Sequence, residues 1–457
     1  MIQGIEIKGL FDTFDHQIEL KKENITLILG ENGLGKTLIL KLINAFFCAD
    51  FNSIYSCHFQ EFILTFDNNE FISIKKQDLE ESKQGLLLTY WEKNKRLTKK
   101  DDFFISIMQF DPRRSRRIMH KTHREIDCYD NMEFDLSRFL PFPIERLGVD
   151  RWYDVRKDRV FSTRVLIDLY REYLPVEFLN KIDKDFPQWL REKIDSLNPI
   201  FIETQRLLIK NEERNYRSSV VKYSQELVEK IKNQTVIATD LGSKLDKSFP
   251  SRVIKQITQK SQITDNEVEE GLILLSKKRE VLNKVGLLET SEEEDIQYYN
   301  YVSQQKKANS DLLRDVLKVY ISDSNEKLVI YDSLAQKLEL LLDIINKRFL
   351  YKKLIIDRGE GFTFKSTVTN KNIPISGLSS GEQHELVLFY QLLFSTDKKS
   401  ILLIDEPEIS LHISWQNHFI EDLKYVIALN SFPAVIATHS PDIINNNWNL
   451  TKQLEGI

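Results

Sequence analysis

The eight residues Gly30-Glu-Asn-Gly-Leu-Gly-Lys-Thr37 constrain this chain more than any other stretch. They follow the apolar run Ile25 to Leu29 and precede Leu38, Leu42, Ala45 and Phe46 at helical spacing, so they join a strand to a helix. In that setting Gly33 and Gly35 let backbone N–H groups converge on phosphate oxygens, and the helix start behind them adds a partial positive charge of about half a unit. Lys36 supplies a full charge for the β and γ phosphates, and the Thr37 hydroxyl is placed to ligate Mg²⁺. Glu31, Asn32 and Leu34 complete the nucleotide-binding loop.

Three further stretches carry matching chemistry. Ile401 to Ile404 is an unbroken apolar strand that ends in Asp405 and Glu406, and it delivers two carboxylates to the carboxyl edge of a sheet, where ligands bind. Asp405 is the candidate Mg²⁺ holder, and Glu406 the candidate to polarise an attacking water. A second buried strand, Phe432 to Ala437, ends in Thr438-His-Ser-Pro441, which places His439 within reach of a γ-phosphate or the water beside it. Gly377-Leu-Ser-Ser-Gly-Glu-Gln383 opens a helix marked by Leu386, Tyr390 and Leu393, and Ser379, Ser380, Gly381 and Glu382 read as a second anion-binding helix start. The same residues also read as a capping box. Two phosphate-binding elements in one chain serve a single nucleotide badly, which implies a head-to-tail pair of chains, each element facing a different nucleotide.

The fold class expected is α/β, with the sheet completed by segments on both sides of a helical arm. Up to residue 206 strands dominate, with a mixed-charge insertion at about 111–197 marked by Pro112, Pro141, Pro143, Pro175 and Pro187. Residues 207–350 read as the arm, almost free of glycine and rich in Glu, Lys, Gln and Leu at helical periods. Pro250, Gly286 and the acidic stretch Glu289 to Asp295 predict that several helices of ordinary length pack together there. Residues 351–457 return to alternating strand and helix.

With 64 basic against 69 acidic residues the net charge is −5, which gives no global reason to expect a nucleic-acid coat, so any such contact must be local. The densest basic run is Arg113, Arg114, Arg116, Arg117, Lys121 and Arg124, which suits a phosphate backbone, an acidic protein surface or simply a solvated face. Cys48, Cys57 and Cys128 show no C-x-x-C spacing and read as buried small apolar residues. The apolar runs are too short for a membrane helix and no signal segment opens the chain, so a cytoplasmic location is expected.

The order and wording of these motifs resemble the ABC-type ATPases, in the branch that contains SMC, RecF and the overcoming-lysogenization (OLD) proteins. Gly30 to Thr37 resembles their Walker A loop, Leu378 to Glu382 their signature, Ile401 to Glu406 their Walker B strand and His439 their switch histidine. The resemblance implies an ABC-class P-loop head interrupted by a short helical or coiled-coil arm, with ATP and Mg²⁺ as cofactors. Two such heads would sandwich two ATPs, with Ser379 touching the γ-phosphate held by the other chain and Glu406 acting as catalytic base. It also assigns Gln205 to Mg²⁺ and the attacking water as a Q-loop residue, and makes Glu408 to His412 a D-loop that crosses the dimer interface. Phe11 and Phe14 are candidates for an aromatic face against adenine, with core packing as the competing role.

Within the branch, the chain ends eighteen residues after His439, without the Toprim nuclease domain that follows the ATPase in OLD proteins, and its insert of about 140 residues lacks the zinc hook and the length of SMC arms. What remains resembles the stand-alone ATPase subunits of bacterial anti-phage systems of the PARIS or Septu type. That resemblance implies a higher oligomer that holds, activates or releases a separate nuclease of Toprim or HNH type in response to a phage-encoded trigger. A RecF-like repair ATPase acting directly on DNA is the alternative; a transporter subunit fits least well, because the arm occupies the place of a compact helical subdomain.

Overall fold

The computed structural model describes residues 2–67, 70–80, 83–93, 97–106, 140, 143–148, 151–154, 159–161, 166, 169–170, 173, 186–203, 208–210, 216–259, 264–288 and 310–456. The chain divides into two compact units, Met1–Thr204 with Ser395–Ile457, and Gln205–Phe394. Gln205, Cys128 and the Arg113 to Arg124 run lie outside the described residues.

The first unit begins with strands β1 (Ile2–Leu10), β2 (Phe14–Glu19) and β3 (Ile25–Leu29), followed by helices α1 (Lys36–Phe47) and α2 (Phe51–Ser56). Strands β4 (Glu61–Phe66), β5 (Glu70–Glu80), β6 (Lys83–Lys93) and β7 (Leu97–Ser106) follow. With β2 and β1 they make a six-stranded antiparallel sheet in the order β2-β1-β4-β5-β6-β7. Alternation in β4, where Phe62, Leu64 and Phe66 point inward and Glu61, Ile63 and Thr65 lie nearer solvent, marks a sheet with one buried face. Strands β8 (Ile144–Gly148), β9 (Arg151–Asp154) and β10 (Arg159–Phe161) pair as a small separate sheet, so the expected insertion includes strands as well as loops. Helix α3 (Gln188–Ile194) then leads into β11 (Asn198–Ile202).

The second unit opens with the pair β12 (Leu208–Lys210) and β13 (Tyr216–Ser218) and the 40-residue helix α4 (Ser219–Thr258). Helices α5 (Asp265–Lys284), α6 (Ser310–Val329) and α7 (Asp332–Arg348) follow, then strands β14 (Lys352–Asp357), β15 (Gly361–Ser366) and β16 (Asn372–Ile373), and helix α8 (Ser380–Phe394). Pro250 was expected to break the arm, yet α4 runs through it. A proline removes one intrahelical donor and crowds the preceding turn. Around it the Leu245 carbonyl accepts from Arg252 Nη2 at 2.7 Å and from Ser248 Oγ at 3.1 Å, so side chains flanking the proline bind the backbone of the turn before it. Arg252 is also paired with Asp323 on α6, and Asp246 with Lys327 at 2.9 Å, so α4 and α6 run antiparallel with the proline turn clamped between two ion pairs.

The chain re-enters the first unit at β17 (Ser400–Asp405), followed by a short 3₁₀ turn at Pro407–Ser410, helix α9 (Ile413–Asn430), β18 (Ala434–Thr438), α10 (Pro441–Ile444) and β19 (Thr451–Gln453). A five-stranded, wholly parallel sheet results, in the order β11-β17-β18-β3-β19. Its strands come from both ends of the sequence, as the apolar runs predict. β17 and β18 are buried at every position, which is what a sheet covered on both faces requires. One apolar core joins Ile39, Ile43 and Phe46 of α1 to Ile5, Phe62 and Ile74 of the antiparallel sheet and to Leu403 and Val435 of the parallel one. Helix α1 is thereby held between the two sheets, and its start is fixed at the carboxyl edge of the parallel one. Cys48 and Cys57 are half-buried thiols outside any disulfide among the described residues, a correction to the buried state expected of them, because both lie at helix ends beside loops. Among the described residues no helix is long and apolar enough to cross a membrane.

Candidate functional site

Register brings the site together. Asp405 of β17 pairs with Ala437 of β18, and Ala437 pairs with Ile28 of β3. Because the three strands are parallel, Gly30, Glu406 and His439 all leave the sheet from one edge, just past the last paired residues. This is the edge at which open α/β sheets bind ligands.

The glycine loop is shaped by two left-handed residues, Gly33 at φ +93° and Gly35 at φ +87°. At Gly33 a Cβ would meet nothing within 4 Å, whereas at Gly35 it would lie 2.5 Å from Leu10 Cδ2 of β1. Position 35 therefore tolerates no side chain on either ground. Gly35 is also the N-cap of α1, and no side chain caps that helix. The orphan N–H groups at its start remain for an external anion. Lys36, 5% exposed, donates from Nζ to the carbonyls of Gly30 at 2.7 Å and Glu31 at 3.0 Å, which holds the ammonium inside the curl of the loop. One anchor was not anticipated: buried His16 of β2 places Nε2 2.9 Å from the Leu34 carbonyl. The carbonyl can only accept, so the proton is on Nε2, and in a trans peptide the Gly35 N–H then points away from His16. A lone histidine at alternating strand spacing offers no signal of that role. Phe14 packs on the core and stacks on His16, while Phe11 is 46% exposed beside Gly35.

On the other side of β18, Asp405 lies with both carboxylate oxygens 2.9 Å from Thr37 Oγ1. Burial first, and the Glu406 charge in addition, raise the Asp405 pKa above the ordinary carboxylate value, against the opposing Thr37 bond and the charges of Lys41 and Lys36. A carboxylate made hard to ionise by its surroundings is one that a cation stabilises strongly. Hydroxyl and carboxylate oxygens side by side at the mouth of a phosphate loop are the hard donors that Mg²⁺ takes, usually with phosphate and water in its other positions. The residues present fit that ion.

Glu406 sits in the left-handed region at φ +43°, a strained conformation for a side chain of this size. Its N–H is tied to the Ala437 carbonyl at 2.9 Å, which holds the turn in place. Its Oε1 is 3.7 Å from His439 Nδ1. A nearer acid contacts that histidine: Glu408 Oε1 lies 3.1 Å from Nδ1. The E-P-E wording of Glu406 to Glu408 hints at a second acid, but only the 3₁₀ turn decides that it points inward. His412 caps α9 by accepting from the Ser414 N–H, and its ring lies 5.7 Å from that of Trp415.

In the second unit, Ser379 and Glu382 form a reciprocal capping box at the start of α8, with Glu382 N–H to Ser379 Oγ at 3.3 Å and Ser379 N–H to Glu382 Oε2 at 2.7 Å. Lys352 of β14 adds a 2.7 Å ion pair to the same Glu382 oxygen. One turn on, fully buried Glu385 pairs with Arg348 of α7. Burial pushes the Glu385 carboxyl up to about 7, against the pull of Arg348. Ser380 and Gly381 occupy the first turn of α8.

Residues 1–444 match the family model described as an AAA ATPase domain. The chain belongs to that family. This AAA ATPase is 27% identical over 149 residues to UvrABC system protein A of Helicobacter pylori, in both strain 26695 and strain J99; the match covers 32% of the chain and 14% of that protein. Among solved structures, the Smc head domain with an extended coiled coil from Pyrococcus furiosus is similar at a TM-score of 0.33 and 11% identity, covering 97% of this chain and 90% of that one. The SMC head domain from Thermotoga maritima gives 0.31 and 10% over the same shares. The class expected from the motifs, an α/β P-loop ATPase with a helical arm, is the class found.

Proposed function

We infer that this AAA ATPase is an ABC-type head of the SMC, RecF and OLD branch that binds Mg²⁺ and ATP at Gly30 to Thr37 and hydrolyses the nucleotide. The observation that carries the reading is the Thr37 to Asp405 bond, which unites residues 368 positions apart in front of an uncapped helix start. In this reading the N–H groups of Gly33, Gly35 and the first turn of α1 bind the phosphates with Lys36, Thr37 and Asp405 hold Mg²⁺, and Glu406 takes the proton of the attacking water. Bound Mg²⁺ would supply charge neutralisation at the phosphates. His439 orients the water or steadies the γ-phosphate. Gln205 is assigned to the metal by the resemblance alone, and exposed Phe11 meets the adenine ring.

The finer reading is an ATP-sandwich dimer, with Ser379, Ser380, Gly381 and Glu382 of each chain presented to the nucleotide of the other. Such dimers would build a higher oligomer that holds a separate Toprim or HNH nuclease and releases or activates it when a phage product is sensed. Support comes from the wording of Leu378 to Leu388, Glu406 to Trp415 and Thr438 to Pro441. Purification together with the product of the adjacent gene, followed by mass measurement with and without ATP, tests it. A nucleotide-dependent complex with a nuclease is expected. ATP turnover by the chain alone, stimulated by DNA and indifferent to any nuclease, would replace it with the repair reading.

A further inference from the structure

Glu408 is joined to the segment that carries His439 at three points. Its Oε1 accepts from Thr438 Oγ1 at 2.8 Å and from the His439 N–H at 2.8 Å, and His439 Nδ1 lies 3.1 Å from the same oxygen. The side chain is only 6% exposed, and Oε2 is buried with no hydrogen-bond partner among the described residues. A buried carboxylate is costly unless donors satisfy it, so the orientation of Thr438 and His439 and the position of Glu408 depend on each other. Gln416 reinforces the arrangement from α9: its Nε2 donates to the carbonyls of Glu408 and Leu411, each at 3.1 Å, and its Oε1 accepts from Ser440 Oγ at 2.9 Å. The backbone at Glu408 and the residue after His439 are thus fixed by one amide. Glu406 Oε1, at 3.7 Å, is beyond hydrogen-bond reach of the same ring nitrogen.

We propose that Glu408 is a positioning residue that keeps a proton on Nδ1 of His439, leaving Nε2 as the nitrogen that meets substrate and Glu406 unengaged and free to meet water. The ring is 46% exposed, so Nε2, on the side away from the carboxylates, has access to the open edge of the sheet. A carboxylate behind an imidazole selects its tautomer and its angle, as it does for histidines that bind metals or serve as bases. This assignment rests on the reading that His439 acts at the γ-phosphate or its water.

The test combines ¹⁵N spectroscopy of histidine-labelled protein with kinetics. In the wild type, the resonance that His439→Asn removes should report a protonated Nδ1; an unprotonated Nδ1 overturns the proposal without reference to activity. Glu408→Met, which keeps the bulk and removes every acceptor, should shift that resonance toward the Nε2–H form and lower kcat by about 100-fold, the scale of a misplaced catalytic group, with KM for ATP changed less than about threefold. Glu408→Gln restores one acceptor and should recover at least about tenfold of that loss. A folded Glu408→Met protein with wild-type kcat, in a series where His439→Asn is slow, overturns the proposal. Turnover insensitive to His439→Asn instead sinks the underlying role of His439, and the spectroscopic result then stands on its own.

Discussion

The starts of α1 and α8 look alike in sequence, each a glycine- and serine- or threonine-bearing turn that opens a helix, and each reads as an anion site. Their structures differ in one respect that matters. The first turn of α1 has no side-chain cap, because Gly35 at the N-cap carries no acceptor. The first turn of α8 already has its acceptors, Ser379 and Glu382, and Glu382 is held in turn by Lys352. An uncapped helix start presents unsatisfied N–H groups to a ligand, and a capped one presents a hydroxyl whose position is set in advance. The first suits a site that grips a triphosphate on its own. The second suits a preset contact that adds to a site built elsewhere.

Substitutions can break or sharpen that contrast. The largest effect should come from Glu406→Gln, with kcat reduced by about 1,000-fold while ATP remains bound, as measured by single-turnover assay and nucleotide retention; equal turnover would remove Glu406 from the catalytic role. Lys36→Ala should weaken ATP binding by at least about 100-fold in calorimetry, since it deletes the one full positive charge inside the loop. Ser379→Ala should leave ATP affinity of the isolated chain intact, and a loss comparable to that of Lys36→Ala would show that both helix starts bind within one chain.

Stability separates the two helices further. Glu385 has a folded pKa near 7 against an ordinary 4.5, with burial the main cause, so between those values the unfolded chain releases a proton that the folded chain keeps. Its contribution is fully present below about pH 4.5 and is lost as pH rises through about 7, a change of about 3 kcal/mol at most. The stability of the wild type relative to Glu385→Gln should therefore fall between pH 5 and 8 in denaturant titrations; a difference that stays flat with pH would show that Arg348 keeps Glu385 ionised throughout. The smallest effect is that of Ser379→Ala on folding, about 1 kcal/mol from loss of the cap, seen as a lower thermal midpoint.

Much of the fold was legible because local signals and burial coincide. The runs Ile25 to Leu29, Ile401 to Ile404 and Phe432 to Ala437 are apolar throughout, and a run of that kind, too short for a helix, belongs inside a covered sheet. Pro250 shows the opposite case. Its local rule predicts a break, but the decision went to contacts around it: Ser248 and Arg252 bind the Leu245 carbonyl of the preceding turn, and Arg252 pairs with Asp323 across the helix pair. His16 and Glu408 were invisible for a related reason, since their partners are 18 and 31 residues away and no spacing rule links them.

The sequence by itself determined the chemistry available: the flexible glycine loop, the lysine, the threonine and the acids that end one strand, because those properties belong to residue types and to their immediate neighbours. Tertiary structure alone decided which groups meet. Parallel register set Asp405 beside Thr37, and a 3₁₀ turn aimed Glu408 at His439, because each of these depends on the packing of segments far apart along the chain.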